Sequence, residues 1–195
     1  ALEMVAAMKP LNDRLEQEAK AEGRKHLDLK VGLGLNSGDA VVGNMGTAQR
    51  MDYSVLGDTV NTAARLEGQS KTYGVDIVLG PKTWEQVEQD FATLRLDNIQ
   101  VKGKTVGLLV YALMGDADLA KDVKFIEVKE LVENMLNTYT AQKWSEARTY
   151  IDQLRVKGES FRLDVLCDLY EGRISAYEVT PPGPDWDGIF VATTK

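Results

Sequence analysis

The chain has 195 residues, of which 44% are hydrophobic and 27% charged, and a formal net charge of −7. That balance fits one ordinary globular domain with an extension, and the acidic excess argues against nucleic acid or an anionic membrane surface as a general partner. A single cysteine, Cys167, excludes an internal disulfide and points to a reducing cytoplasm.

No run approaches ~20 apolar residues, so no segment reads as a membrane span. The opening ALEMVAAMKP carries neither an initiator methionine nor a signal-peptide layout, and reads as the interior of a longer protein. Leu2, Val5, Met8, Leu11 and Leu15 recur at three- and four-residue steps, predicting a helix to about residue 22 with a kink or restart at Pro10. Gly23 and the charged run after it end that helix, and His26, the only histidine, reads as a surface residue of the following loop.

Leu29 to Leu35 alternates as a strand, with Gly32 and Gly34 on the face where a backbone or a helix packs close. Turn chemistry over Asn36 to Asp39 predicts that Ala40-Val41-Val42 returns as its hairpin partner. The pair Gly43 and Gly46 reads equally as a bulge, a turn or a nucleotide loop.

Tyr53 to Leu56 is extended, Gly57 breaks it, and Asp58 is the expected N-cap of a helix over about Thr59 to Thr72. Val60, Ala63 and Ala64 are its expected packing face. Asn61 and Arg65 stand four residues apart and so leave one face about a turn apart. A carboxamide and a guanidinium near a helix N-terminus suit a polyphosphate and its sugar. Pairing of Arg65 with an acid such as Glu67 is the plain structural alternative.

Gly74 is the expected C-cap, followed by a strand over Val75 to Leu79 and a helix around Thr83 to Phe91 with Pro81 near its first turn. Leu94, Leu96, Ile99 and Val101 lead into a strand–turn at Lys102-Gly103-Lys104, and Val106 to Leu113 is the expected last strand of the domain. Composition shifts at Gly115-Asp116-Ala117-Asp118. Three helical periods follow: Val128 to Tyr139, Ala147 to Leu154, and Phe161 to Ile174.

Cys167 falls among apolar helix neighbours and reads as a buried, inert thiol. Trp144, Ala147 and Ile151 resemble half of a tetratricopeptide repeat, and one such hairpin must bury its face on the body or on a partner. Pro181-Pro182-Gly183-Pro184 stiffens the chain before a tail in which Trp186 and Phe190 are expected to anchor apolarly. The expected organisation is residues 1–115, 116–180 and 181–195.

The run VGLGLNSGDAVVGNMG, followed by RMDYSVLGDTVNTAARLEG, resembles the C-terminal part of the catalytic domain of class III adenylate/guanylate cyclases. The likeness covers roughly residues 2 to 114 and, more weakly, the tail. It implies an α+β, ferredoxin-like cyclase domain, N-terminally truncated: a mixed, mostly antiparallel sheet with helices on one face, plus the helical extension.

It also implies roles. Ser54 falls at the purine-reading position, Asn61 and Arg65 are the catalytic pair that acts on the reacting phosphate, and Lys102, in Val101-Lys102-Gly103-Lys104, holds the triphosphate. The likeness of serine to threonine favours ATP over GTP. The resemblance further implies Mg²⁺ or Mn²⁺, but the family's two metal-binding aspartates, and the lysine that partners the purine reader, lie in the first part of the domain. Asp39 and Asp58 match neither aspartate, so no metal ligand is assigned here.

The implied site forms between two subunits, a homodimer being expected, and this chain supplies only one side. Alone it is therefore expected to be inactive. The implied reaction turns ATP into 3′,5′-cyclic AMP and pyrophosphate. Guanylate cyclase, a cyclase-like nucleotide binder without chemistry, and an interaction scaffold built on the helical extension are the alternatives. The strands missing from the sheet leave an edge that dimerisation or strand swapping would cover.

Overall fold

The computed structural model describes residues 1–47, 50–100 and 107–191. Helix α1 (Leu2–Ala21) contains Pro10 and runs on past it. Strand β1 is only Leu33–Leu35, shorter than the alternation of Leu29 to Leu35 suggests. The carboxamide of Asn12 explains the loss: its Oδ1 accepts from the Leu29 N–H at 2.8 Å and its Nδ2 donates to the Leu29 carbonyl at 2.9 Å. Leu29 is thus tied to α1 instead of a ladder.

The expected hairpin between β1 and Ala40–Val42 does not form. β1 pairs in parallel with β4 (Ile77–Leu79), Leu33 opposite Ile77. β2 (Val41–Thr47) instead pairs antiparallel with β3 (Arg50–Leu56) as a separate two-stranded ribbon. Alternation fixes which face a strand buries and carries no information about its partner.

Helix α2 (Asp58–Tyr73) follows β3 directly. Gly57, not Asp58, occupies its N-cap position with φ 154°, a conformation that favours glycine. Gly74 closes the helix in the left-handed region at φ 70°. A Cβ on Gly34 would fall 2.2 Å from the Ala63 carbonyl oxygen, so α2 lies directly on the backbone of β1, the close approach that the two glycines predict. The buried face of α2 is Thr62, Leu66, Ser70 and Tyr73, whereas Ala64 is exposed. The small residues Val60, Ala63 and Ala64 are therefore not its packing stripe: Leu66 and Tyr73 bury far more apolar area.

Helix α3 (Pro81–Val87) starts on its proline and ends one turn before Phe91. β5 (Ala92–Gln100) and β6 (Leu108–Gly115) form the longest antiparallel pair. A short helix α4 (Ala117–Ala120) leads to α5 (Val123–Thr140), α6 (Trp144–Lys157) and α7 (Asp164–Val179). Asp116 and Asp122 cap α4 and α5 with their carboxylates. The tail ends in β7 (Phe190–Val191), parallel to β5.

The main sheet has the order β1-β4-β6-β5-β7, an α+β arrangement with a mixed sheet. Its larger apolar layer joins Val78, Leu94 and Leu96 to Leu66 and Tyr73 of α2 and to α5, α6 and α7 in one continuous core. Leu2 and Val5 of α1 and Trp84 of α3 cover a smaller patch at Ile77, Leu79 and Tyr111, where Trp84 stacks on Tyr111 at 4.2 Å between centroids. Cys167 is fully buried. Trp186 sits in an aromatic cluster with Tyr139, Trp144 and Tyr177, the apolar anchoring expected of it.

Candidate functional site

The ribbon β2–β3 and the first two turns of α2 form one continuous surface feature. Glycine at 57 lets the chain leave β3 and enter α2 without an intervening loop, and a Cβ there would meet the Asp39 carbonyl oxygen at 3.2 Å. Asn36 fixes the same junction from the other side, its Nδ2 donating to the Thr59 carbonyl at 3.1 Å. The hydroxyls of Ser37 and Thr83, 2.9 Å apart, tie the connection after β1 to α3. Neither Asn36 nor Ser37 stood out in the sequence beyond being turn formers.

On this frame Asn61 and Arg65 stand one turn apart, both exposed. Arg65 forms no ion pair among the described residues, so the pairing with Glu67 does not occur. Ser54 is half-buried on β3 opposite Gly43. A Cβ at Gly43 would meet no atom within 4 Å, so the cross-strand position beside Ser54 is open space. The structure thus brings Asn61 and Arg65 onto one face and places Ser54 on the strand that feeds their helix. Lys102, with the rest of Val101-Lys102-Gly103-Lys104, lies outside the described residues.

Among the described residues no three His, Cys, Asp or Glu side chains converge where a metal ion could be held. Those residues do not fit a divalent-metal centre. No helix among them is long and apolar enough to cross a membrane.

Behind the exposed face lies a polar centre that sequence reasoning missed. Asp97 of β5 is 3% exposed. It accepts from the Tyr73 hydroxyl at 2.8 Å and from Arg173 Nη1 at 2.7 Å. The Tyr170 hydroxyl donates to the Leu96 carbonyl at 2.7 Å. Burial is the largest single influence on Arg173 and opposes its charge, but the Asp97 carboxylate and the Tyr170, Tyr73 and Tyr139 side chains together outweigh it and keep the guanidinium protonated. Burial, then the Asp97 charge, pushes the Tyr73 phenol well up. The signal available in the sequence is an acid at position 97 set between the apolar strand positions Leu94, Leu96 and Ile99, where a buried unpaired charge is untenable.

The model of the adenylate and guanylate cyclase catalytic domain matches residues 1–115. The chain belongs to that family. Adenylate cyclase 1 of Rhizobium meliloti is 32% identical over 106 residues, 54% of this chain and 16% of that protein. The adenylate cyclase of Anabaena cylindrica is 31% identical over 114 residues, 57% of this chain and 22% of that protein. The chain therefore spans about a sixth to a fifth of these relatives. Among solved structures, the adenylyl cyclase CyaB of P. aeruginosa is 28% identical with a TM-score of 0.47, covering 57% of this chain and 54% of that one.

Proposed function

We propose that this chain is the part of a class III adenylate cyclase that binds ATP and stabilises the transition state of its conversion to 3′,5′-cyclic AMP and pyrophosphate. The observation that carries the reading is the face of α2. Asn61 and Arg65 stand together in solvent on a helix of the cyclase family, and the arginine has no ion partner among the described residues to neutralise it. In the reaction the ribose 3′-oxygen attacks the α-phosphorus and the pyrophosphate leaves, so negative charge grows on the phosphoryl oxygens. Arg65 is the cation that meets that charge. Asn61 orients the ribose by hydrogen bonds.

Ser54 reads the purine edge from β3, with the open space across from it at Gly43 leaving room for a base. Lys102 neutralises the outer phosphates as a point charge. The metal ligands come from residues outside these 195 and, in the assembled site, from a second subunit, so this chain alone makes no product. The ribbon supports that partner: Val42, Met51 and Tyr53 share one of its faces and are 56–76% exposed, an apolar surface suited to being covered.

The test mixes this chain with a separately made metal-bearing first part of the domain, with ATP or GTP and Mn²⁺. Cyclic AMP should form, and Arg65→Ala should lower its rate about 10²–10³-fold. Cyclic GMP instead would assign the guanylate reaction. A folded complex that makes neither product would sink the catalytic reading in favour of a nucleotide-binding or scaffolding role.

A further inference from the structure

A cavity of about 140 Å³ lies where β5, α5 and the tail meet. Arg95, Asp97 and Asn98 of β5 form one wall, Tyr139 of α5 a second, and Asp187 and Gly188 of the tail a third. Four buried side-chain polar atoms lack a hydrogen-bond partner among the described residues, and they gather around this cavity. Arg95 Nε, Asn98 Oδ1 and the hydroxyl of Tyr139, a residue only 2% exposed, belong to its walls. The fourth, Arg173 Nε, belongs to the cation bonded to Asp97. Buried polar atoms are nearly always bonded, and leaving one bare is costly. Four of them in one region point to a guest that bonds them.

The walls set the chemistry of that guest. Arg95 Nη2 donates to the Asn137 side-chain oxygen at 2.8 Å and pairs with Glu133 at 2.9 Å. Asp97 accepts from Tyr73 and Arg173 through Oδ2, and from the Asn98 N–H through Oδ1 at 2.8 Å. Asp187 accepts from the Ile189 N–H at 3.0 Å. Each guanidinium thus already faces a carboxylate, so a charged guest would sit buried without a matching counter-charge. Burial, above all, raises the Tyr139 phenol, which stays neutral and keeps its O–H. The wall atoms left to bond are two donors, Arg95 Nε–H and Tyr139 O–H, and two acceptors, Asn98 Oδ1 and the Tyr139 oxygen.

We propose that this cavity is a binding site for small neutral molecules that both donate and accept hydrogen bonds. Water and a compact organic solute such as a primary amide share that chemistry. The volume has room for a few waters or for one molecule of their combined size. Bonded to Tyr139 on one side and to Arg95 and Asn98 on the other, the guest ties α5 to β5 beside the tail. None of these residues belongs to the proposed nucleotide face.

Tyr139→Phe tests whether the hydroxyl is bonded. With a guest in place the variant loses a hydrogen bond, and its folding equilibrium constant should fall on the order of fivefold in a denaturant titration. A bare buried hydroxyl gives a neutral or stabilising change instead, and that result overturns the site. The Tyr177 ring lies 6.2 Å from that of Tyr139, so the change is repeated on a Tyr177→Phe background. The loss should persist there. Its disappearance assigns the bond to Tyr177 and overturns the site.

Two measurements on the 195-residue chain name the guest. Long-lived internal waters, seen by oxygen-17 relaxation dispersion and reduced in Tyr139→Phe, support the site and assign water. Saturable shifts of the amide signals of residues 95–98 and 187–189 on adding acetamide support it and assign an organic amide. Acetate has the same shape and a negative charge, and should leave those signals unmoved. A response to acetate in preference to acetamide overturns the neutral chemistry. Neither long-lived water nor a response to acetamide overturns the site.

Discussion

Arg65 and Arg173 are both helix arginines, and their settings are opposite. Arg65 stands exposed on α2 with no ion partner among the described residues, on a face next to a ribbon whose apolar side chains also look outward. Arg173 is 7% exposed, bonded to Asp97 and laid over Phe190. The first is a charge held ready at no folding benefit. The second is a charge whose removal strands a buried carboxylate. Two helices that share one apolar core therefore differ in what they present, α2 carrying the proposed catalytic pair outward and α7 fixing the frame inward.

The contrast breaks most visibly at the buried pair. Arg173→Met leaves Asp97 charged and buried without its cation and should cost about 3–5 kcal/mol, read as a lowered denaturant midpoint. Tyr73→Phe removes only one of the hydrogen bonds to Asp97 and should cost about 1–2 kcal/mol. Since Tyr73 is also the last residue of α2, this variant measures how firmly the helix bearing Asn61 and Arg65 is tied to the frame. Arg65→Ala should move stability by less than about 0.5 kcal/mol, although the same change is expected to remove most activity. A large loss of stability in Arg65→Ala would dissolve the contrast.

Cys167 sharpens it at the smallest scale. Burial pushes its thiol up from 9.0 to about 11, so the folded state holds the proton more tightly than the unfolded one. The stability this represents is present below pH 9.0 and is lost as the pH rises through about 11. Alkylation at pH 8 should therefore occur at the rate of unfolding, and fast labelling of the folded chain would show α7 to be loosely seated.

Local pattern made the helices legible. The three- and four-residue steps of α1, α5, α6 and α7 gave their positions within a few residues, and Gly74 announced its own cap. The packing role of Gly32 and Gly34 was also readable, because a missing side chain on an alternating strand has few other uses. Strand partnership was not. β1 carries the same alternation whether it pairs with β2 or, as it does, with β4 from forty residues on, and the Asn12 clasp that shortens it is a long-range contact. At the site, the spacing of Asn61 and Arg65 was legible because a helix fixes it. The Tyr73–Asp97–Arg173 centre was not, since its members come from three elements that only the fold unites.

The three tryptophans report on different parts of this architecture. Trp84 is stacked on Tyr111 on the smaller face of the sheet, whereas Trp144 and Trp186 lie 6.3 Å apart in the cluster that seats the tail. With Trp84 replaced by Phe, the remaining emission comes wholly from that cluster. Release of the tail then becomes an optical signal, open to stopped-flow and temperature-jump recording while α1 and α3 stay silent.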